Sequence, residues 1–187
     1  KLSYREVAKP INFFSGQVLH RYDFLFLTIK KNIMENEKVI GLLNDLVRIN
    51  HDRVTGYEKA IDELKDENAD LRTLFQRFIS ESREYAQELT QEVGRLGGSP
   101  AEGTTNSGKI YRVWMDLKAT VSGKDRKAIL SNCEFGEDAA QKAYDTALNS
   151  DVEFEPSLRD LIIRQKTSLK AGHDEVKRLR DMQTATK

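Results

Sequence analysis

The stretch Cys133-Glu-Phe-Gly-Glu-Asp-Ala-Ala-Gln-Lys-Ala-Tyr144 sets a carboxylate on the inward side of a helix. At 100° per residue, Ile129, Leu130, Cys133, Gly136, Ala140, Tyr144 and Ala147 share one stripe, the side the chain must bury. Glu137 falls inside that stripe and Glu134 sits at its edge. A carboxylate is seldom buried alone, because losing its water costs several kcal/mol unless something compensates. Glu137 is therefore expected to have a buried partner, a metal ion or a water cluster. Which of the three it has bears directly on what the protein does.

The composition around this stretch is that of a helical protein. The 187 residues suffice for one domain with a full core. Thirty basic and thirty acidic side chains cancel, leaving no basic field to draw the chain onto nucleic acid or anionic lipid. A 32% charged content with three prolines suits helices with solvated outer faces. Cys133 is the one cysteine, so no disulfide forms within the chain and nothing points to an oxidising compartment. No apolar run approaches the length needed to span a bilayer. The expectation is a soluble, cytoplasmic protein with neither nucleic acid nor membrane as partner.

Outward from Cys133–Tyr144, the pattern predicts four long helices. The first runs from about Asn36 to Leu64 with Val39, Leu42, Leu43, Leu46, Ile49, Tyr57, Ala60, Ile61 and Leu64 on one face. Asp66-Glu-Asn68 turns the chain, and the second helix, about Ala69 to Leu96, returns antiparallel until Gly97-Gly98 stops it. The third covers about Lys124 to Leu148; Pro156 suits the first turn of a fourth that ends near Met182. Between the second and third lies a long connection with helical spacing at Ile110, Val113, Trp114, Leu117 and Val121. Two antiparallel hairpins joined by one long crossover with a short helix make an all-α, ferritin-like four-helix bundle. Residues 1–33 stand apart: they hold four of the eight Phe and show no sustained helical stripe. Met34-Glu-Asn-Glu37 reads as a natural start of the bundle domain, 34–187, with 1–33 an N-terminal extension or a docking arm.

Near mid-bundle the apolar stripe breaks in every helix. Asn50 and Arg53 break it on the first, Ser82 on the second, Glu137 with Glu134 on the third, and Gln165 with His173 on the fourth. One reading is a carboxylate metal site that binds iron or another divalent metal through Glu134, Glu137 and His173. The Glu134-x-x-Glu137 spacing gives two carboxylates to neighbouring positions on a helix, and His173 adds an imidazole from the next one. A full di-iron set needs a Glu on each of two helices and Glu-x-x-His on each of the other two. This chain falls short of it, with Lys170 three residues before His173 and Arg53 set among the ligands. The other reading, which the residues favour, needs no cofactor. It is a closed buried polar network in which Arg53 pairs with Glu137 while Asn50, Tyr57, Gln165 and His173 satisfy the remaining donors and acceptors.

Other signals are weaker. Gly103-Thr-Thr-Asn-Ser-Gly108-Lys109-Ile110 matches part of a phosphate-binding loop but lacks the closing Ser/Thr and any preceding strand, so a capping turn is the simpler account. Trp114 with Tyr111 and Val113 packs on the bundle or forms an interaction patch. Cys133 reads as a small core residue, not a nucleophile.

Several of these elements are found together elsewhere. They are Asn44-Asp45-Leu46, Gly56-Tyr57-Glu58, Leu96-Gly-Gly-Ser-Pro100, Gly108-Lys-Ile-Tyr-Arg-Val-Trp114, Lys118, Gly123-Lys-Asp125 and Cys133-Glu-Phe-Gly-Glu-Asp138, followed by Tyr144 and Ala147-Leu148. Over about residues 36–182 the chain resembles a bacterial ferritin-like family of four-helix-bundle proteins catalogued as a domain of unknown function. The resemblance implies the bundle with its crossover and a cytoplasmic bacterial setting, with a loose association with stress responses through kinship to other small ferritin-like proteins. It implies no established activity. The expectation is a non-catalytic bundle acting through its surface or assembly, as a homodimer or with another protein partner. The alternative is a metal-binding or redox protein with a degenerate core site.

Overall fold

The computed structural model of the chain describes residues 16–104 and 125–183, with side chains described at residue 30 and from residue 32 onward. It divides into two compact units, residues 1–36 and 37–187. The helices are α1 (Gly16–Glu63), α2 (Ala69–Arg95), α3 (Arg126–Leu148) and α4 (Pro156–Met182). The described residues contain no strand.

The boundaries of α2, α3 and α4 fall within two residues of those expected, but α1 begins at Gly16, not near Asn36. Val18, Tyr22, Leu25, Ile29 and Ile33 are in fact spaced by three and four residues. The dense Phe and Leu residues among them hid that period. The expected crossover helix with Tyr111, Val113 and Trp114, and most of the Gly103–Ile110 stretch, lie outside the described residues.

Each helix end has a local cause. Gly97 adopts φ +80° just past α2, and its N–H bonds Gly94 O while that of Gly98 bonds Val93 O, at 3.0 and 2.9 Å. This is a Schellman stop, which favours glycine in the left-handed position. Asp125 caps α3 by accepting from the Lys127 N–H at 3.1 Å. Pro156 opens α4, where its missing N–H costs nothing.

Ion pairs between helix ends fix the topology. Arg126 at the start of α3 donates to Asn68 and Asp70 at the start of α2. Arg95 at the end of α2 donates to Glu155, just before α4. α3 therefore begins at the end of the bundle where α2 begins, and α4 at the end where α2 stops. α2 and α3 are parallel, so the end of α2 and the start of α3 lie at opposite ends of the bundle. That is the expected double-hairpin arrangement with one long crossover.

The core comes in two parts. Val39, Leu43, Leu46, Leu89, Val93, Tyr144, Leu158 and Ile162 belong to one apolar cluster, at the end where α2 stops. Tyr57, Leu64, Leu71, Phe75, Phe78, Ile129, Cys133 and Val176 belong to the other. Between them lie Asn50, Arg53, Ser82, Glu137 and Gln165, all at 3% exposure or less. The polar layer thus divides the core.

Candidate functional site

The layer consists of two hydrogen-bonded rungs about one turn apart on α1. In the first, Arg53 from α1 directs Nε and Nη2 to Glu137 Oε1 on α3, at 3.1 and 2.7 Å. Its Nη1 donates to Ser82 Oγ on α2 at 2.6 Å, and Ser82 passes its own proton to Phe78 O, also at 2.6 Å. The Tyr57 hydroxyl donates to the same Glu137 oxygen. Tyr57 in turn packs against Phe75 and Phe78, with ring centroids 5.2 Å away in each case. Glu137 Oε1 accepts three hydrogen bonds; Oε2, equally buried, makes none among the described residues.

The second rung crosses all four helices. Asn50 of α1 donates to Leu46 O and to the Tyr144 hydroxyl of α3, both at 2.8 Å. Tyr144 donates to Gln165 Oε1 of α4 at 2.7 Å, and Gln165 donates to Glu88 of α2 at 2.7 Å. Glu88 lies at the surface, where Arg164 pairs with it at 2.9 Å. A run of donors thus leads from a fully buried amide to a solvated ion pair. Sequence reasoning missed Tyr144 and Glu88 as members: the first fitted the apolar stripe, and the second lies outside it.

Electrostatics keep the Arg53, Tyr57 and Cys133 protons in place. Burial pulls the Arg53 pKa down, but the charge of the Glu137 carboxylate and the hydrogen bond to it carry it above the ordinary arginine value. Burial pushes the Tyr57 hydroxyl well above its usual range, and the charge of Glu137 adds to this. The Cys133 thiol is likewise driven up, by burial first and by Glu137 second. It is a neutral core residue.

The candidate metal ligands are not brought together. Glu134 is buried against Arg180 of α4. His173 leaves the polar layer altogether: its Nε2 lies 3.0 Å from Asp138 and its Nδ1 2.9 Å from Asp174, both on the bundle flank. The reason is rotational. The buried stripe of α4 runs Leu158, Ile162, Gln165, Leu169, Gly172 and Val176, so Gly172 takes the inward position. A Cβ at Gly172 would stand 3.2 Å from the Phe78 ring, so the two helices meet closely there and a side chain would have to push that ring aside. His173, 100° further round, turns toward α3. Among the described residues, no three His, Cys, Asp or Glu side chains are grouped to hold a metal ion. A di-iron carboxylate centre does not fit this layer, because a guanidinium occupies the one fully buried carboxylate and the other two candidates are paired elsewhere.

Two further side chains of α1 bind the loop after α2. Asn44 donates to Ser99 O at 3.0 Å and accepts from the Ala101 N–H at 2.7 Å. His51 bonds Gly103 O through Nδ1 at 2.8 Å; a carbonyl only accepts, so that nitrogen carries the proton. The open groove of about 460 Å³ beside Lys38, Leu42 and Asp151 is a surface feature, and its Arg48 and Asp45 pair with each other at 2.9 Å.

Four amphipathic helices in two antiparallel hairpins, joined by a crossover around a polar layer, define a ferritin-like bundle. A point mutant of Dps1 from Mycobacterium smegmatis shares this fold with a TM-score of 0.67 at 17% identity, covering 79% of this chain and 97% of its own. Ferritin-like, diiron-carboxylate proteins from Bacillus anthracis match with a TM-score of 0.58 at 14% identity, over 79% and 96% of the two chains. These likenesses establish the fold alone. No functionally curated protein matches the chain. The chain belongs to the family described as Domain of unknown function (DUF2383), whose pattern matches residues 38–150, more than half of its length.

Proposed function

We propose that this protein is a ferritin-like bundle without redox chemistry in its core, acting through its surface or its assembly. The observation that carries this reading is that Glu137 is held by Arg53 and Tyr57, Glu134 by Arg180, and His173 by Asp138 and Asp174. Each candidate ligand already has a counter-charge or a donor. A divalent ion at Glu137 would have to displace a buried guanidinium, and doing so would strand that charge in a medium of low dielectric. The mid-bundle network then has a structural purpose, which is to hold the four helices in register. No helix among the described residues is long and apolar enough to cross a membrane. A homodimer or another protein partner, in a cytoplasmic and stress-related setting, completes the proposal.

One observation favours a second reading, in which the bundle handles iron. Glu137 Oε2 is buried without a hydrogen-bond partner among the described residues, and one of the similar folds is named as a diiron-carboxylate protein. Metal analysis of tag-free protein, as purified and after anaerobic Fe(II) loading, separates the two beside Glu137→Ala. The expected result is no stoichiometric iron in either state and a destabilised variant. One or two irons per chain, lost in Glu137→Ala, would establish the second reading.

A further inference from the structure

We infer that the Arg53 guanidinium is the resident cation of a defined cation seat at mid-bundle, selective for a single positive charge of planar shape; this rests on the reading just given. Three features of the seat support it. First, every group facing the guanidinium presents an acceptor or a π face. Glu137 Oε1 takes Nε and Nη2, Ser82 Oγ takes Nη1, and the Tyr57 ring lies 5.7 Å from the guanidinium carbon. Second, those groups are themselves fixed. Ser82 spends its proton on Phe78 O and Tyr57 spends its proton on Glu137, so neither can turn a donor toward the cation. Third, within the layer one buried carboxylate pairs with one buried cation, with side chains 1% and 2% exposed, while the nearby, partly exposed Glu81 pairs with Arg77. A divalent ion in that seat would leave a buried charge uncompensated, since Glu134 and His173 are turned to other partners.

A seat so built should remain when the side chain that fills it is cut back. Arg53→Ala is expected to bind guanidinium ion from solution, the acceptors being supplied by α2 and α3 and the aromatic wall by Tyr57, further along α1 itself. Thermal unfolding of wild type and Arg53→Ala, in guanidinium chloride up to tens of millimolar against matched sodium chloride and matched urea, tests this. The variant should gain roughly 3–6 °C at ten times the dissociation constant of guanidinium, while wild type falls slightly. Urea, similar in shape but uncharged, should give no gain, and adding Glu137→Gln to the variant should abolish the response.

A variant that melts no higher in guanidinium than in sodium chloride overturns the inference. If Arg53→Ala does not fold unaided, its refolding yield by dialysis into each salt takes the place of melting. A higher yield in guanidinium supports the seat, and equal yields overturn it. Mn(II) titration of the wild-type chain, followed by electron paramagnetic resonance, distinguishes the two levels of the argument. Mn(II) held by wild type and released by Glu137→Gln would overturn both the seat and the reading beneath it. Failure of guanidinium rescue in a chain that takes up no Mn(II) overturns the seat alone, and absent uptake together with rescue supports both.

Discussion

Glu137 Oε1 gathers donors from Arg53 and Tyr57, and the burial of all three side chains decides what their removal costs. An ion pair taken from water into a protein interior gains little over well-packed apolar residues, yet stranding one partner is expensive. Glu137→Gln or Arg53→Met alone is therefore expected to destabilise the bundle by about 3–5 kcal/mol. Arg53→Met with Glu137→Leu and Tyr57→Phe removes both charges and the hydroxyl they leave behind, and should recover most of that loss. Urea unfolding of the singles and the triple checks this. A triple variant as unstable as the singles would show that the network contributes stability and not merely register.

At the scale of the element, pairs between helix ends hold the hairpins together. Asp70 lies in the first turn of α2, where a helix N-terminus favours negative charge, and Arg126 of α3 donates to it. The hydrogen bond from Arg126, opposed by partial burial, lowers its carboxyl pKa from the ordinary 3.8 to about 2. Between those values the unfolded chain binds more protons than the folded one, so stability falls as pH falls. The contribution is complete above about pH 4 and is lost through pH 2. Asp70→Asn should flatten the stability-against-pH curve in that window and leave it unchanged in shape above pH 5. The side chain is 60% exposed, which keeps the effect small. Urea midpoints for both proteins from pH 2 to 6 provide the check, and superimposable acid limbs would rule the pair out as a contributor. The loop after α2 relies on a different device: Asn44 spans Ser99 and Ala101 from within α1, which brings the Asn44-Asp-Leu46 and Leu96-Gly-Gly-Ser-Pro100 stretches of this chain together.

For the whole molecule, the unit of residues 37–187 carries both apolar clusters and the polar layer, and its first core residue is Val39. Residues 30 and 32–38, the ones before Val39 whose side chains are described, are all exposed. Residues 34–187 alone are therefore expected to fold with a urea midpoint close to that of the full chain. Sedimentation of both forms reports on assembly: a lower oligomer in the shortened chain would make residues 1–33 an interface, and an equal one would place assembly on the bundle.

Much of this architecture was legible in the residues because amphipathic helices declare their period. Apolar positions at three- and four-residue spacing gave α2, α3 and α4 nearly to their ends, and the polar interruptions at Asn50, Arg53, Ser82, Glu137 and Gln165 stood out on those stripes. Where apolar residues crowd together, as before Met34, the period blurs, and the start of α1 was lost with it.

By itself the sequence determined that four helices form, which face of each is buried, and that Glu137 enters the core needing a partner. Only the tertiary structure decided which partner that is. The helical period places a residue on a face but not toward a particular neighbour, and 100° of rotation on α4 separates the inward Gly172 from His173 on the flank. Arg53 meets Glu137 because α1 and α3 lie side by side with those residues at one height, a relation between segments 84 positions apart that no local pattern encodes.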